Sequence, residues 1–149
     1  MDSGTGPDKD PFHLQRFVDA QNPFYESVLA ELSAGRKVGH WMWFIFPQIA
    51  GLGHSGMSRR FAISGRAEAQ AYLHHPVLGP RLRECARLVT EVEGRSIDEI
   101  LGYPDDRKFR SSMTLFLEAA PGDPVFQAAL QKYFDGQLDQ FTVRASKSE

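Results

Sequence analysis

The sequence has almost no cysteine, since Cys85 is the only one in 149 residues. A single cysteine cannot form an intramolecular disulfide, and it is too few for a cysteine-based zinc cluster. Proteins of oxidising compartments often depend on disulfides, so this composition favours a cytoplasmic location. Cys85 itself lies among apolar residues at helical spacing, and we interpret it as an inert core residue.

The sequence also has no long apolar run. The most strongly apolar stretch, Trp41–Phe46, is far shorter than the roughly 20 residues that a membrane-spanning helix needs. The first ten residues are polar and carry no apolar signal-peptide segment. We therefore expect no association with a membrane.

An excess of basic residues is missing as well, because the formal net charge is −2. Dedicated nucleic-acid-binding domains usually carry a basic excess, so nucleic acid is disfavoured as a partner. Arg81, Arg83 and Arg87 share an amphipathic pattern whose other side is apolar, and a solvated helix face explains them. The overall charge still allows a local cationic pocket for a small anion.

Familiar signatures of catalysis are absent from the chain. The loop Gly51–Arg60 has neither the spacing of a P-loop nor the glycine fingerprint of a dinucleotide-binding fold. No Ser–His–Asp order or nucleophile elbow is present. The His74-His75 pair has no metal-ligating partner at i+4 spacing. The sequence therefore predicts no metal site and no cofactor.

The residues that are present describe a folded domain. The hydrophobic fraction is 42%, and it includes 11 Phe, 4 Tyr and 2 Trp, many of which must be core. We expect a flexible leader over residues 1–10, a single helical domain over 11–143, and a loose tail over 144–149.

Helix-starting signals recur along this domain. Asp10-Pro11, Asn22-Pro23 and Asp123-Pro124 place a capping residue before a proline, and Ser96–Glu99 matches a capping box. The clearest amphipathic pattern runs from about Val77 to Glu93. We predict an all-α bundle of about six or seven short helices. Only Trp41–Phe46 and Gln140–Val143 are strand candidates, and the first could equally be a buried helix.

The densest candidate for chemistry is the segment His40–Gln48, which holds four aromatic residues in a row of six. It could be a wall on which a planar ligand stacks, or simply a buried core element. An apolar run by itself favours the core element, and the hydrogen-bonding groups at its two ends, His40 and Gln48, are the features that point to a ligand site.

Two further segments carry the ingredients of an anion site. Gly51–Arg60 combines three glycines with His54, serines and two arginines, and a plain surface loop is the alternative. Asp105–Thr114 carries cationic and hydroxyl side chains behind an acidic pair, and an ordinary capped helix is the alternative. An interior Ser-Ser pair has poor helix propensity, which favours close packing or a polar role.

The chain resembles the bacterial family known as domain of unknown function 1810. The resemblance rests on HWMWFIFPQIAGLG (His40–Gly53), YLHHPVLGPRL (Tyr72–Leu82) and DDRKFRSSMTLF (Asp105–Phe116), and it extends from about Asp10 to Val143. It implies a mostly helical domain and assigns no activity, substrate or catalytic residue. Some members are labelled calpastatin, which is a largely disordered protease inhibitor. Because this composition predicts a folded core, that activity is not carried over.

Two functional hypotheses follow. In the first, the three segments converge on a pocket that binds, or acts on, a small anionic, partly planar ligand such as a nucleotide derivative. His40 or His54 would then transfer protons, and the expected ligand-binding residues are Trp41, Trp43, Gln48, Ser58, Arg59, Arg60, Lys108, Arg110, Ser111 and Ser112. In the second, exposed aromatics bind a protein partner, and the domain is a regulatory module without catalysis. The sequence determines neither the oligomeric state nor whether a reaction is catalysed.

Overall fold

Ten α-helices and no strand make up residues 9–147, the part of the computed structural model that is described. The all-α prediction is confirmed, and short extra turns raise the helix count above the predicted six or seven. The helices are α1 (Gln15–Gln21), α2 (Tyr25–Ser33), α3 (Met42–Ile45), α4 (Gly56–Arg60), α5 (Arg66–His74), α6 (Leu78–Glu91), α7 (Ile97–Leu101), α8 (Asp105–Ala119), α9 (Pro124–Phe134) and α10 (Gln140–Lys147).

Helix α8 is the centre of the packing. It contacts α5, α7, α9 and α10, and Phe109, Met113 and Phe116 on it are fully buried. Ser111 and Ser112 are buried too, because small side chains let the neighbouring helices pack closely around α8. The Ser-Ser pair predicted either close packing or a polar role, and the burial of both serines fits close packing.

Several helix starts follow the local signals of the sequence. Ser96 and Glu99 form the reciprocal capping box at the start of α7. Asp123 caps α9, with a proline at its first position. The Asp10 carboxylate accepts hydrogen bonds from the backbone N–H groups of Leu14 (2.7 Å) and Gln15 (3.0 Å). Because these donors lie four and five residues downstream of it, α1 begins at Gln15 rather than at the proline that follows Asp10.

Two segments differ from the expectation of extended structure. Trp41–Phe46 contains the short helix α3 inside the core, which decides the question the periodicity left open. Gln140–Val143, the other strand candidate, begins helix α10, in agreement with the all-α prediction. Thr142 and Ser146 are its buried residues, so small polar side chains one turn apart form the packed face. Residues 144–147 belong to the same helix rather than to a loose tail, and residues 1–8 of the predicted leader lie outside the described residues.

A parallel bridge between Ile49 and Ile63 closes the loop that carries α4. The backbone N–H of Ala50 donates to the Ile63 carbonyl (2.8 Å), and the N–H of Ile63 donates to the Gln48 carbonyl (2.9 Å). The loop rests on α10, since a Cβ at Gly51, where φ is +104°, would lie 3.0 Å from the Phe141 ring. The loop is therefore held at both ends and along one side.

A buried ion pair fixes the far end of this loop. Arg16 Nη2 lies 3.0 Å from Glu68 Oε2, and both side chains are largely shielded from solvent. The same guanidinium donates to the carbonyls of Arg60 and Ala62. Helix α1 thereby anchors the residues that follow α4. None of the helices between Lys9 and Lys147 is long and apolar enough to cross a membrane.

Candidate functional site

Two adjoining cavities lie where the loop carrying α4 meets α3 and α8. The inner cavity has a volume of about 210 Å³, and the outer cavity has a volume of about 630 Å³. Both are lined by Gln48, Gly53, Ser58 and Lys108, so these four residues mark their junction. The outer cavity falls within the usual size range of small-molecule sites.

The inner cavity has an apolar wall with cations beside it. The wall is formed by Met42, Trp43, Phe46, Ile49 and Phe61. Helix α3 presents Trp43 half-buried, while most of its other residues pack into the core. The wall therefore offers an indole to a ligand and is rigidly supported from behind.

Lys108 lies directly beside this indole. Its ammonium is 5.4 Å from the centre of the Trp43 ring, within the range of a cation–π contact. Asp105, one turn earlier on α8, lies 3.6 Å from the same ammonium. The Asp105 carboxylate is shared with Lys37, whose ammonium is closer, at 2.9 Å. One carboxylate thus serves two lysines, and Lys108 has the longer contact.

The loop side of the inner cavity is formed by Gly53, Ser58 and Arg59. Ser55 caps the single turn of α4 by accepting from the Ser58 N–H, and its hydroxyl donates to Ser58 Oγ (2.9 Å). Gly53 packs so closely on Ser58 that a Cβ there would overlap the serine side chain. Arg59 is exposed and forms no ion pair with any residue from Lys9 to Lys147.

One face of α8 lines the outer cavity. Pro104, Arg107, Lys108 and Ser111 all border it, at the i, i+3, i+4, i+7 spacing of a single helical face. Sequence reasoning selected Lys108 and Ser111 but missed Arg107. The same spacing, applied to the segment once its start was known, would have included Arg107.

Arg110 borders the outer cavity and is also hydrogen-bonded to the backbone beside it. Its Nε donates to the Gln137 carbonyl (2.9 Å), and its Nη2 donates to the Leu138 carbonyl (2.8 Å). These bonds tie α8 to the connection between α9 and α10. The guanidinium charge lies at the cavity, while two of its N–H groups are committed to the backbone.

The electrostatic balance differs between the two cavities. Arg59 and Lys108 line the inner cavity, and its lining contains no carboxylate. The outer cavity has Asp106 and Asp139 against three cations. Both carboxylates accept hydrogen bonds from nearby backbone groups. Asp106 accepts from the Arg107 N–H, and Asp139 caps α10 by accepting from the Thr142 N–H. The site is cationic in a chain whose net charge is −2.

The comparisons with known proteins cover nearly the whole chain. The family model described as protein of unknown function (DUF1810) matches residues 11–145. The chain belongs to this family. It is also similar to a conserved hypothetical protein from Mycobacterium tuberculosis whose crystal structure is solved, with 56% identity, 94% of this chain and 100% of that chain covered, and a TM-score of 0.92. No curated protein matches the chain.

Some of the predicted site residues lie outside both cavities in this DUF1810 chain. Trp41 is 1% exposed, and its indole N–H donates to Glu31 (2.9 Å), so its ring is part of the core and presents no free face to a ligand. Ser112 is fully buried in α8, and Arg60 lies over the Phe61 ring at 5.1 Å. Of the two tryptophans, Trp43 borders the inner cavity and Trp41 borders neither cavity of the site.

Neither histidine proposed for proton transfer lines the inner or the outer cavity. His40 and His54 are both exposed. His54 follows Gly53, which lines both cavities, whereas His40 precedes the buried Trp41. The convergence of the three segments therefore concerns binding residues, and the catalytic roles of the two histidines stay predictions.

Glu31 explains the path of the chain into α3. Its Oε1 accepts hydrogen bonds from the N–H groups of Val38 and Gly39 and from the indole of Trp41. Burial alone would raise the pKa of Glu31, but these donors and the charge of Lys37 outweigh it and hold the pKa below its usual value. An ionised Glu31 thus fixes Trp41, from which α3 presents Trp43.

The arginines of α6 have structural partners. Arg81 lies over the Tyr25 ring at 4.5 Å, Arg83 pairs with Asp123 at 2.6 Å, and Arg87 pairs with Glu91 at 2.8 Å on the same helix. These contacts account for the basic pattern of α6 within the fold, in line with a solvated helix face.

A third cavity of about 440 Å³ lies apart from the candidate site, between the start of α1 and the end of α5. Asp10, His74 and His75 border it. His75 Nδ1 accepts from the N–H groups of Val77 (3.1 Å) and Leu78 (3.2 Å), so the imidazole caps α6. Burial lowers the pKa of His75, and the nearby Asp10 charge offsets part of that effect.

Proposed function

We propose that the two adjoining cavities bind a small anionic ligand with a planar part, such as a nucleotide derivative. Support comes from the way three separate segments meet at one place. Trp43 supplies a flat apolar surface, Lys108 and Arg59 supply positive charge, and Gln48 and Ser58 supply hydrogen-bonding groups. Stacking surfaces with cations and a few polar groups are typical of sites for such ligands.

The observation that carries this proposal is the composition of the inner cavity. An aromatic wall and two cationic side chains line it, and no carboxylate does. Like-signed charges at one cavity repel each other, and an anion placed between them relieves that repulsion. Arg59 gives the stronger argument for an anion, because it has no ion-pair partner among the described residues, whereas Lys108 lies near Asp105.

A thermal-shift screen of the full chain tests the proposal. The panel contains nucleotides, sugar phosphates and inorganic phosphate. A ligand at about 100 times its dissociation constant adds about 2.7 kcal/mol to stability. At this chain length that corresponds to a rise of about 5 °C or more in Tm. We expect a clear rise with at least one nucleotide, and a smaller rise at high salt because screening weakens charge attraction.

The matched variants are Arg59→Gln and Arg36→Gln. Both remove one exposed arginine charge, but Arg36 lines neither cavity. We expect Arg59→Gln to lower affinity about ten-fold, the usual value of a charge-assisted hydrogen bond, and Arg36→Gln to leave it unchanged. A flat response across the whole panel contradicts the proposal and favours the protein-interaction alternative, for which pull-down of a partner is the next measurement.

A further inference from the structure

Gln48 is the residue at the junction of the cavities that carries a carboxamide without a protein partner. It lines both cavities, at their junction. Its backbone carbonyl is committed to the N–H of Ile63 in the bridge, which fixes its position. Its side-chain carboxamide forms no hydrogen bond with any residue between Lys9 and Lys147, although the side chain is half-buried.

A carboxamide without a protein partner at the junction of two cavities keeps its donor and its acceptor free for a ligand. The other neutral hydrogen-bonding side chain of the inner cavity, Ser58, already accepts from Ser55. Gln48 is thus the one carboxamide in the lining, and it offers a donor and an acceptor side by side. Such a pair matches the adjacent donor and acceptor on the edge of a nucleobase, as in the pairing of glutamine with adenine.

The two cavities offer different groups to a ligand. The inner one supplies the half-buried indole of Trp43, which suits a flat base. The outer one supplies the guanidinium groups of Arg107 and Arg110, which suit the phosphate side of a ligand, while the Ser111 hydroxyl donates to the Arg107 carbonyl. Lys108 borders both cavities, so its ammonium can contact a phosphate at their junction.

We propose that the ligand is a nucleoside phosphate, with its base against Trp43 in the inner cavity, its phosphate at the junction of the two cavities beside Arg59 and Lys108, and the base edge recognised by Gln48. This inference rests on the proposed function and narrows it in two ways. It assigns an orientation, and it makes Gln48 the residue that distinguishes a nucleotide from a sugar phosphate. Sugar phosphates share the anion but have no base edge to pair with the carboxamide.

Isothermal titration calorimetry on the full chain tests the inference. The ligands are AMP, GMP, CMP, UMP and ribose 5-phosphate, and the variants are Gln48→Leu and Gln127→Leu. Gln127 is exposed on α9 and lines neither cavity, so it is the matched control. Circular dichroism and Tm confirm that both variants fold like the parent.

We expect at least one nucleotide to bind the parent chain ten-fold or more tightly than ribose 5-phosphate. Gln48→Leu should weaken that nucleotide about ten- to a hundred-fold, the value of one bidentate base contact, and leave ribose 5-phosphate within two-fold. Gln127→Leu should change neither affinity. If ribose 5-phosphate binds as tightly as the nucleotides, or Gln48→Leu weakens both equally, the inference is overturned while anion binding stands. If no ligand of the panel binds, the proposed function fails with it.

Discussion

Lys108 on α8 and Trp43 on α3 form a cation–π pair, with the ammonium 5.4 Å from the centre of the ring. The pair joins the two cavities, because Trp43 lines the inner one and Lys108 lines both. A planar anion bound there would contact the indole and the ammonium together. The geometry thus unites two features, aromatic and cationic, that the sequence holds far apart.

The carboxylate of Asp105 competes with a ligand for Lys108. It lies 3.6 Å from the Lys108 ammonium and 2.9 Å from that of Lys37. We expect Asp105→Asn to raise affinity for an anionic ligand a few-fold, because Lys108 loses its competing charge. The same change should lower the free energy of unfolding by about 1–3 kcal/mol, because the largely buried Lys37 loses its counterion.

Chemical denaturation and calorimetric titration measure these two effects separately. Asp98→Asn is the control. Asp98 is exposed and lines neither cavity, so this substitution removes the same charge away from the site. A fall in affinity for Asp105→Asn would show that Asp105 orients Lys108 for the ligand rather than competing with it.

The close contact between Gly53 and Ser58 can be tested by adding a Cβ at Gly53. A Cβ at Gly53 would overlap the Ser58 side chain, whereas a Cβ at Gly56 would meet nothing within 4 Å. We expect Gly53→Ala to displace Ser58 from the junction of the cavities, weaken ligand binding, and cost about 1–3 kcal/mol of stability, as overpacking does. Gly56→Ala in the same loop should preserve both affinity and Tm, and equal behaviour of the two variants would refute this packing.

The neutral imidazole of His75 predicts a pH dependence of stability. Because burial lowers its pKa, the unfolded chain takes up a proton at His75 more readily than the folded chain does. The free energy of unfolding should therefore fall as the pH decreases through about 6.5, the ordinary histidine value. Protonation also removes the Nδ1 acceptor that caps α6.

His75→Asn keeps an acceptor at this cap but does not titrate. Urea denaturation between about pH 5.5 and 7.5 should show a flatter pH dependence for His75→Asn than for the parent. His74→Asn, at the exposed neighbouring position, should keep the parental slope. An unchanged slope in His75→Asn would contradict the assignment.

The sequence predicted best what short-range interactions determine. The capping box at Ser96 and the Asp123-Pro124 start were readable because each helix start depends on residues within one turn. Gln140–Val143 remains a strand candidate in the sequence for the opposite reason, although the segment is helical. The buried face of α10 consists of Thr142 and Ser146, and small polar residues give no hydrophobic periodicity to detect.

The candidate site was accessible to sequence reasoning only in part. Gln48, Ser58 and Lys108 were chosen by residue type in three separate segments, but their meeting at one junction depends on the Ile49–Ile63 bridge, which is a long-range contact. Trp41 and Trp43 could not be told apart in the sequence. They differ because the N–H of Trp41 is drawn to Glu31 and its ring into the core.

Tryptophan fluorescence during ligand titration tests the central claim most directly. A planar anion stacking at the inner cavity should quench the emission of the half-buried Trp43, while Trp41 in the core continues to emit. We predict saturable quenching by a nucleoside monophosphate in the parent chain, with the same dissociation constant as calorimetry, and its loss in Trp43→Phe. Quenching that persists in Trp43→Phe, or binding by calorimetry without any quenching in the parent chain, would contradict a ligand in this cavity.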